Sequence, residues 1–266
     1  MIAGSRRAAR LRRVGFWALG WVGLGVALLA WQVAAAVDHS PLIPTFTSTL
    51  AALWHMLASS FVPSELVPSM IRLVIGFVVS AVIGVVVGLF TGYYRVVRDW
   101  TTAVFDFSRS LPTPLLIPVA LVLFGLGGTM VVVVIASAAI WPVLINTSNA
   151  TAALDPTLVD TARCLGLRGP FLLAKVILPA VSPKIFAGLR VAISVSLAVL
   201  VVAEILGGSS GIGYFISSAQ QSFQITESYA GVLVLCLLGW IADSVFLFVE
   251  RRLLVWQRGI VGGGHG

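Results

Sequence analysis

Residues 159–179 read VDTARCLGLRGPFLLAKVILP and lie between two of the most apolar runs of the chain. The segment carries one acid, two arginines, one lysine and two prolines, whereas its flanks are mainly Val, Leu, Ile, Ala and small residues. Such a charged, proline-bounded segment does not belong in hydrocarbon. The reading of the fold therefore turns on how many lipid-soluble runs surround it and on which side of a membrane it emerges.

The surroundings are strongly apolar. Of 266 residues, 59% are hydrophobic and 10% charged, and the mean hydropathy is +1.04. Polar residues this scarce cannot cover the outside of a soluble domain, and runs of about 20 apolar residues match a bilayer core. The expected fold is all-α and polytopic, with six spans at about 14–36, 69–92, 104–126, 130–149, 185–206 and 229–249.

A net charge of +7 raises nucleic acid as a partner, but the placement of the basic residues excludes it. Arg6, Arg7, Arg10, Arg12 and Arg13 precede the first span, and Arg95 and Arg98 follow the second. Arg163, Arg168, Lys175, Lys184 and Arg190 fill the quoted segment and its exit, and Arg251, Arg252 and Arg258 close the chain. Segments 38–68 and 208–228 contain no Lys or Arg. This alternation is the positive-inside pattern. It puts both termini and the quoted segment in the cytosol; only Arg72 and Arg109 fall outside it.

The domain reading is a basic cytosolic tail at 1–13, a first span with an outer loop at 14–68, a core at 69–250 whose cytosolic loop is 150–184, and a tail at 251–266. The first apolar run is longer than a signal-peptide core, which favours a span over a cleaved leader. Within the outer loop, TFTSTLAALWHML has helical apolar spacing at Phe46, Leu50, Leu53 and Leu57 and reads as an amphipathic surface helix. Span two carries Gly76, Ser80, Gly84, Gly88 and Gly92, each four residues apart. Small residues at that spacing let helices approach closely in lipid, either within the subunit or between subunits. Span three contains Pro112, Pro114 and Pro118 just after Asp106 and Arg109. The prolines predict a kink, structural or lining a pathway.

Two catalytic readings can be tested on the residues. Gly208-Ser209-Ser210-Gly211 resembles the G-x-S-G of intramembrane serine proteases. A serine nucleophile needs a base within reach, and His39, His55 and His265 all lie outside the spans. A P-loop needs Gly before its lysine, but Lys175 follows Ala174 and Lys184 follows Pro183. Any ATP chemistry must belong to another polypeptide. The two cysteines, Cys164 and Cys236, form no disulfide framework, and His39 and His55 lack the neighbours of a metal site.

The quoted segment has its own local signals. Asp155-Pro156 is an N-cap followed by proline at the first helical position. Gly166 is placed to end that helix, and Leu158 or Val159, Ala162 and Leu165 share one face. Arg168-Gly169-Pro170 starts a second helical stretch, punctuated by Pro179 and Pro183. The prediction is a compact helix–turn–helix element outside the lipid.

These residues carry a resemblance. Asp160-Thr161-Ala162, then Gly166, Val176, Leu178 and Pro179, match the spacing of E-A-A-x3-G-x9-I-x-L-P, the loop motif of ABC importer permeases. Asp replaces Glu, Thr the first Ala and Val the Ile. SMIRLVIGF (69–77), SRSLPTPLLIPVALVLFGLG (108–127), VVAEILGGSSGIGYFI (201–216) and ERRLLVW (250–256) resemble the nitrate/sulfonate/taurine-type permeases.

The resemblance implies a type I importer fold in the bacterial cytoplasmic (inner) membrane. It further implies that Asp160, Thr161, Ala162, Gly166, Leu178 and Pro179 form a coupling surface for cytosolic ABC ATPase subunits, which hold the ATP and Mg; this chain itself holds no cofactor. An extracytoplasmic solute-binding protein and a second permease copy are the other implied partners. The implied cargo is a small anion such as a sulfonate, taurine or nitrate. Arg109, Glu204, Ser209 and Ser210 are candidate pathway or gate residues, with Glu204 either accepting hydrogen bonds from the following turn or bracing an outer gate. A channel or exporter independent of a binding protein is the competing transport reading.

The charge pattern makes a direct prediction. A cysteine placed at position 50 should react with an impermeant thiol reagent added outside intact cells, and labelling from the cytosolic side alone would reverse the topology.

Overall fold

A computed structural model describes residues 3–38, 40 and 42–254, with side chains from Gly20 onward except residue 21. The basic cluster at 6–13, His39, Pro41, Arg258 and His265 lie outside what is described in this way. Helix α1 covers Ala3–Asp38, α2 Phe46–Ala58, α3 Val67–Tyr93, α4 Arg95–Ser110, α5 Leu116–Phe124 and α6 Gly128–Ala152. The chain continues through α7 Pro156–Cys164, α8 Gly169–Leu172, α9 Leu178–Gly207, α10 Ile212–Gln221 and α11 Ile225–Leu253.

Among the described residues four helical stretches are long and apolar enough to cross a membrane: Val62–Tyr93, Gly128–Ala152, Gly169–Gly207 and Ile225–Leu253. The bent pair Arg95–Ser110 and Thr113–Phe124 makes a fifth if its two helices are taken as one span. Of the expected first span, the apolar stretch described is Val22–Asp38, and side chains before it lie outside the description. Its end is fastened by Trp31, whose indole N–H donates to the Pro44 carbonyl at 3.2 Å and whose ring meets Phe46 edge-on at 5.5 Å.

The core is α6 held between α3 and α9. Along α3, Ser80 is fully buried, and the four glycines of the stripe face α6. A Cβ on Gly84 would stand 2.8 Å from the Val143 Cβ, and one on Gly88 2.7 Å from the Thr147 Cβ. At Gly92 it would stand 2.5 Å from the Ser148 carbonyl. The stripe is therefore spent inside the chain, on α6, and the alternative of an interface between subunits does not hold for these residues. On the other side of α6, Gly188 makes the same close approach to the Pro142 carbonyl, with Ala192 and Ser196 buried beside it.

Span three departs from the expected kinked 104–126. It begins at Arg95 and is broken into two helices bent by 82°. Leu111 is extended at ψ 122, the conformation a following proline favours, and Pro112 is extended too, at ψ 117. Pro114 and Pro118 then sit in first turns, where a missing N–H costs nothing. Pro179 and Pro183 depart the other way: they interrupt nothing, and the helix runs on from Gly169 to Gly207. A wide turn at Leu173–Ile177 makes this possible, with the Leu178 N–H bonded five residues back to Leu173, so Pro179 falls where the register changes. The same device occurs at Val62–Leu66, where Val67 bonds back to Val62 just before Pro68.

Helix α2 forms over the expected residues, capped by the Thr45 hydroxyl, which accepts from the Ser48 N–H. Its packed face differs from the expected one. Thr49, Leu53 and Met56 are buried, whereas Leu50 and Leu57 are exposed. The reason is a partner that periodicity does not reveal: Leu53 and Met56 join Phe61, Ile212, Ile216, Ala230 and Val234 in one cluster.

The α3–α6 contact predicts a specific sensitivity. Gly88→Val must push apart two backbones, and overpacking of this kind costs about 1–3 kcal/mol. Gly23, with nothing within 4 Å of a built Cβ, is the control. Thermal unfolding in detergent should show a lowered midpoint for Gly88→Val and an unchanged one for Gly23→Val.

Candidate functional site: a folded loop element and a buried ion-pair network

The segment from Asp155 to Pro179 folds as its local signals require. The Asp155 carboxylate accepts the Thr157 N–H at 2.9 Å, and Pro156 opens α7. That bond holds the Asp155 carboxyl below its ordinary range, so the cap is intact at neutral pH and is lost as pH falls through that lowered range. At the other end Gly166 takes φ +84. Its N–H bonds the Arg163 carbonyl at 3.0 Å and the Leu167 N–H bonds the Ala162 carbonyl at 3.1 Å, a complete Schellman closure. No atom lies within 4 Å of a Cβ built on Gly166, so backbone conformation alone calls for glycine there.

The element is mounted firmly. Ala162 is buried with Leu89, Leu172, Leu173, Ile177, Val181 and Ile185, and Val159 and Leu178 pack against this cluster. Arg163 bridges Asp160 at 3.1 Å and donates to the Tyr93 hydroxyl at 3.0 Å, tying α7 to the end of α3. Asp160, Thr161, Gly166 and Pro179 are exposed. So are the large side chains Leu158, Leu165 and Phe171; of the residues expected to share one face with Ala162, Val159 packs against the cluster and Leu158 and Leu165 do not. The element thus leaves large apolar side chains exposed beside its charged ones.

At the opposite end of the spans, Glu204 is fully buried. Its carboxylate accepts from Arg72 Nη1 at 2.9 Å, from the Ser69 hydroxyl at 2.8 Å and from the Gly213 N–H at 3.0 Å. Arg72 also donates to the Ser210 carbonyl at 2.6 Å and to its hydroxyl at 2.7 Å. Glu65 accepts the Gly211 N–H at 2.6 Å, and Ser69 accepts the Ile212 N–H at 2.8 Å. A Cβ at Gly211 would overlap the Glu204 carboxylate, and φ there is +116. The glycines after Glu204 are thus the means by which backbone N–H groups reach a buried carboxylate.

The bond from Gly213 is the contact to the following turn that sequence suggested for Glu204. Arg72, Ser69 and Glu65 escaped that reading. A signal existed, since Arg72 was one of two cations outside the charge pattern and Glu204 was an unmatched acid in a span. The other such cation, Arg109, pairs with Asp106 at 3.0 Å and stands on α4, beside a cavity of about 280 Å³ shared with Leu144, Ile145, Ser148 and Asn149 of α6. Ser209 is exposed, and the Ser210 hydroxyl faces a guanidinium, which cannot take up a proton. That arrangement offers no activated nucleophile. Among the described residues no group of three or more His, Cys, Asp or Glu could hold a metal.

The network predicts strong coupling between its two charges. Breaking a buried ion pair at one partner costs about 3–5 kcal/mol because the other charge is stranded. Glu204→Gln and Arg72→Gln should each lower the unfolding midpoint, and the double variant should lose less than the sum. Additive losses would show that the two side chains act separately.

Comparison with known proteins agrees with this geometry. The family described as "Binding-protein-dependent transport system inner membrane component" matches residues 80–255. A permease protein assigned to aliphatic sulfonates transport in Bacillus subtilis (strain 168) is 30% identical over 97% of this chain and 94% of its own length. Its counterpart in Escherichia coli (strain K12) is 33% identical over 93% of each chain. A nitrate import permease protein of Synechocystis is 28% identical over 88% of each. Among solved structures, a chain of the inward-facing MetNI methionine ABC transporter superposes with a TM-score of 0.62 at 16% identity, covering 75% of this chain and 96% of that one. The spans, the folded loop between α6 and α9 and the matching relatives together place the chain in the family of binding-protein-dependent ABC importer permeases.

Proposed function

We propose that this permease passes a small anion across the cytoplasmic membrane, driven by separate ATPase subunits docked on the element at 155–179. The carrying observation is the exposure of the large apolar side chains Leu158, Leu165 and Phe171 on an element whose helix α7 is capped at both ends. In this reading Asp160, Thr161 and Pro179 form the polar and rigid parts of the docking face. Ala162 and Leu178 anchor it to the spans, and Gly166 sets the turn. ATP and Mg are held by the partner, and the permease works as a pair of identical copies with both termini cytosolic. An external binding protein delivers the cargo.

Several relatives named for sulfonates, nitrate and bicarbonate support a small oxyanion as cargo. The Arg72–Glu204 network, with Ser209 and Ser210 in its loop, braces the outer gate, and Arg109 offers positive charge inside. Such a gate suits the physics: a fully satisfied buried network resists local opening, so it moves as one body with the helices it joins.

The docking reading is tested at Gly166. Valine disfavours φ > 0 while meeting no steric obstacle there. Gly166→Val should leave the permease inserted but reduce co-purification with its ATPase and uncouple uptake, with Gly166→Asn milder because Asn tolerates that conformation. Unchanged assembly and uptake in Gly166→Val would make the loop a passive connector.

A further inference from the structure

At the end of the spans that carries α7, four arginines surround two cavities. One, of about 280 Å³, lies between α4 and α6, and the other, of about 250 Å³, lies under α7; Arg98 lines both. The other three each have a carboxylate within 4 Å: Asp99 at 3.9 Å from Arg95, Asp106 at 3.0 Å from Arg109 and Asp160 at 3.1 Å from Arg163. Among the described residues Arg98 has none. Its side-chain bond runs from Nη1 to the Gly92 carbonyl at 3.3 Å, which leaves most of its five N–H donors free.

Helix α4 climbs beside α6, as the contact of Phe105 with Trp141 at 6.0 Å shows. Its charged face, Arg98, Asp106 and Arg109, is turned to the cavity, while Val96, Trp100, Val104 and Phe107 are exposed on the other side. This charged face and the cavity beside it form a polar corridor between α4 and α6 at the end of the spans that carries α7. Within it Arg109 is already neutralised by Asp106. Half-buried Arg98 is the cation that lacks a counter-ion, and the exposed Asn149 lines the cavity with it. Eleven residues of helix put the two arginines about 16 Å apart along α4, so they are successive stations and not one clamp.

We propose that Arg98, with the Asn149 carboxamide, is an oxyanion-binding station at the exit of the corridor, with the transported anion serving as the counter-ion of Arg98. This rests on the importer reading above and deepens it by moving the anion-selective charge from Arg109 to Arg98. A planar guanidinium presents paired N–H groups that match two oxygens of a sulfonate, nitrate or bicarbonate. The Asn149 amide adds a donor from the facing helix. A cavity of this size holds such an anion with part of its water shell.

The test uses the permease assembled with its ATPase in nanodiscs of phosphatidylcholine, with ¹³C-ethanesulfonate and ¹⁵N-nitrate as probes and NMR line broadening as readout. Wild type should broaden at least one probe. Arg98→Gln should bind it about tenfold more weakly or worse, Arg98→Lys should keep a measurable part, and Arg109→Gln should lose less than Arg98→Gln. Arg95→Gln, outside the α4–α6 cavity, should match wild type. Equal broadening by an assembled Arg98→Gln complex, or none by wild type with either probe, would overturn the station. Loss of wild-type broadening on adding phosphatidylglycerol would assign Arg98 to lipid headgroups and overturn it too. ATP hydrolysis by the wild-type complex is measured in parallel; its absence would count against the importer reading and leaves the binding result to be judged alone.

Discussion

Close approach of α3 to α6 is the constraint on which this molecule rests. Lipid tails are as apolar as leucine, so helices in a bilayer gain little from hiding hydrophobic surface and associate through packing. Gly76, Gly84, Gly88 and Gly92 remove side chains along one line of α3, and Ile135, Val143, Thr147 and Ser148 of α6 fill the space. Gly188 and Ala192 repeat the arrangement between α6 and α9. This three-helix register then fixes what meets at each end: Leu89 under α7 at one, Ser69 and Arg72 beside Glu204 at the other.

The two ends handle charge in opposite ways. Around Glu204 the charges are buried and fully hydrogen-bonded, which suits a part that must hold one shape. Around α7 the ion pairs are exposed and close within a turn, as Arg163 with Asp160. Exposed pairs contribute little to stability, and they leave the face free to meet another protein.

One helix joins the ends. The stretch Gly169–Gly207 has 39 residues, about 58 Å at the helical rise. It carries Leu172, Leu173 and Ile177 in the cluster beneath α7 and ends at the buried Glu204. A displacement of α7 therefore has a continuous mechanical route to the α10 end, with the wide turn at Leu173–Ile177 as its weakest stretch of backbone hydrogen bonding.

Much of this was legible in the residues. Hydropathy and the spacing of basic residues mark a polytopic membrane protein, because bilayer thickness and loop charge act on sequence locally. Asp155-Pro156 and Gly166 mark both ends of α7, because capping is a matter of a few neighbouring residues. Tertiary structure alone decided the rest. Sequence does not say which helix a glycine stripe faces, and α6 answered it. Pro112 broke its span whereas Pro179 did not, since a wide turn precedes Pro179 and none precedes Pro112. The packed face of α2 was set by Ile212 and Ala230, more than 150 residues away. Arg72 and Glu204 stand 132 residues apart. Long-range partners have no local period or spacing to betray them, and only the packing of α3 against α6 and α9 brings those two charges into contact.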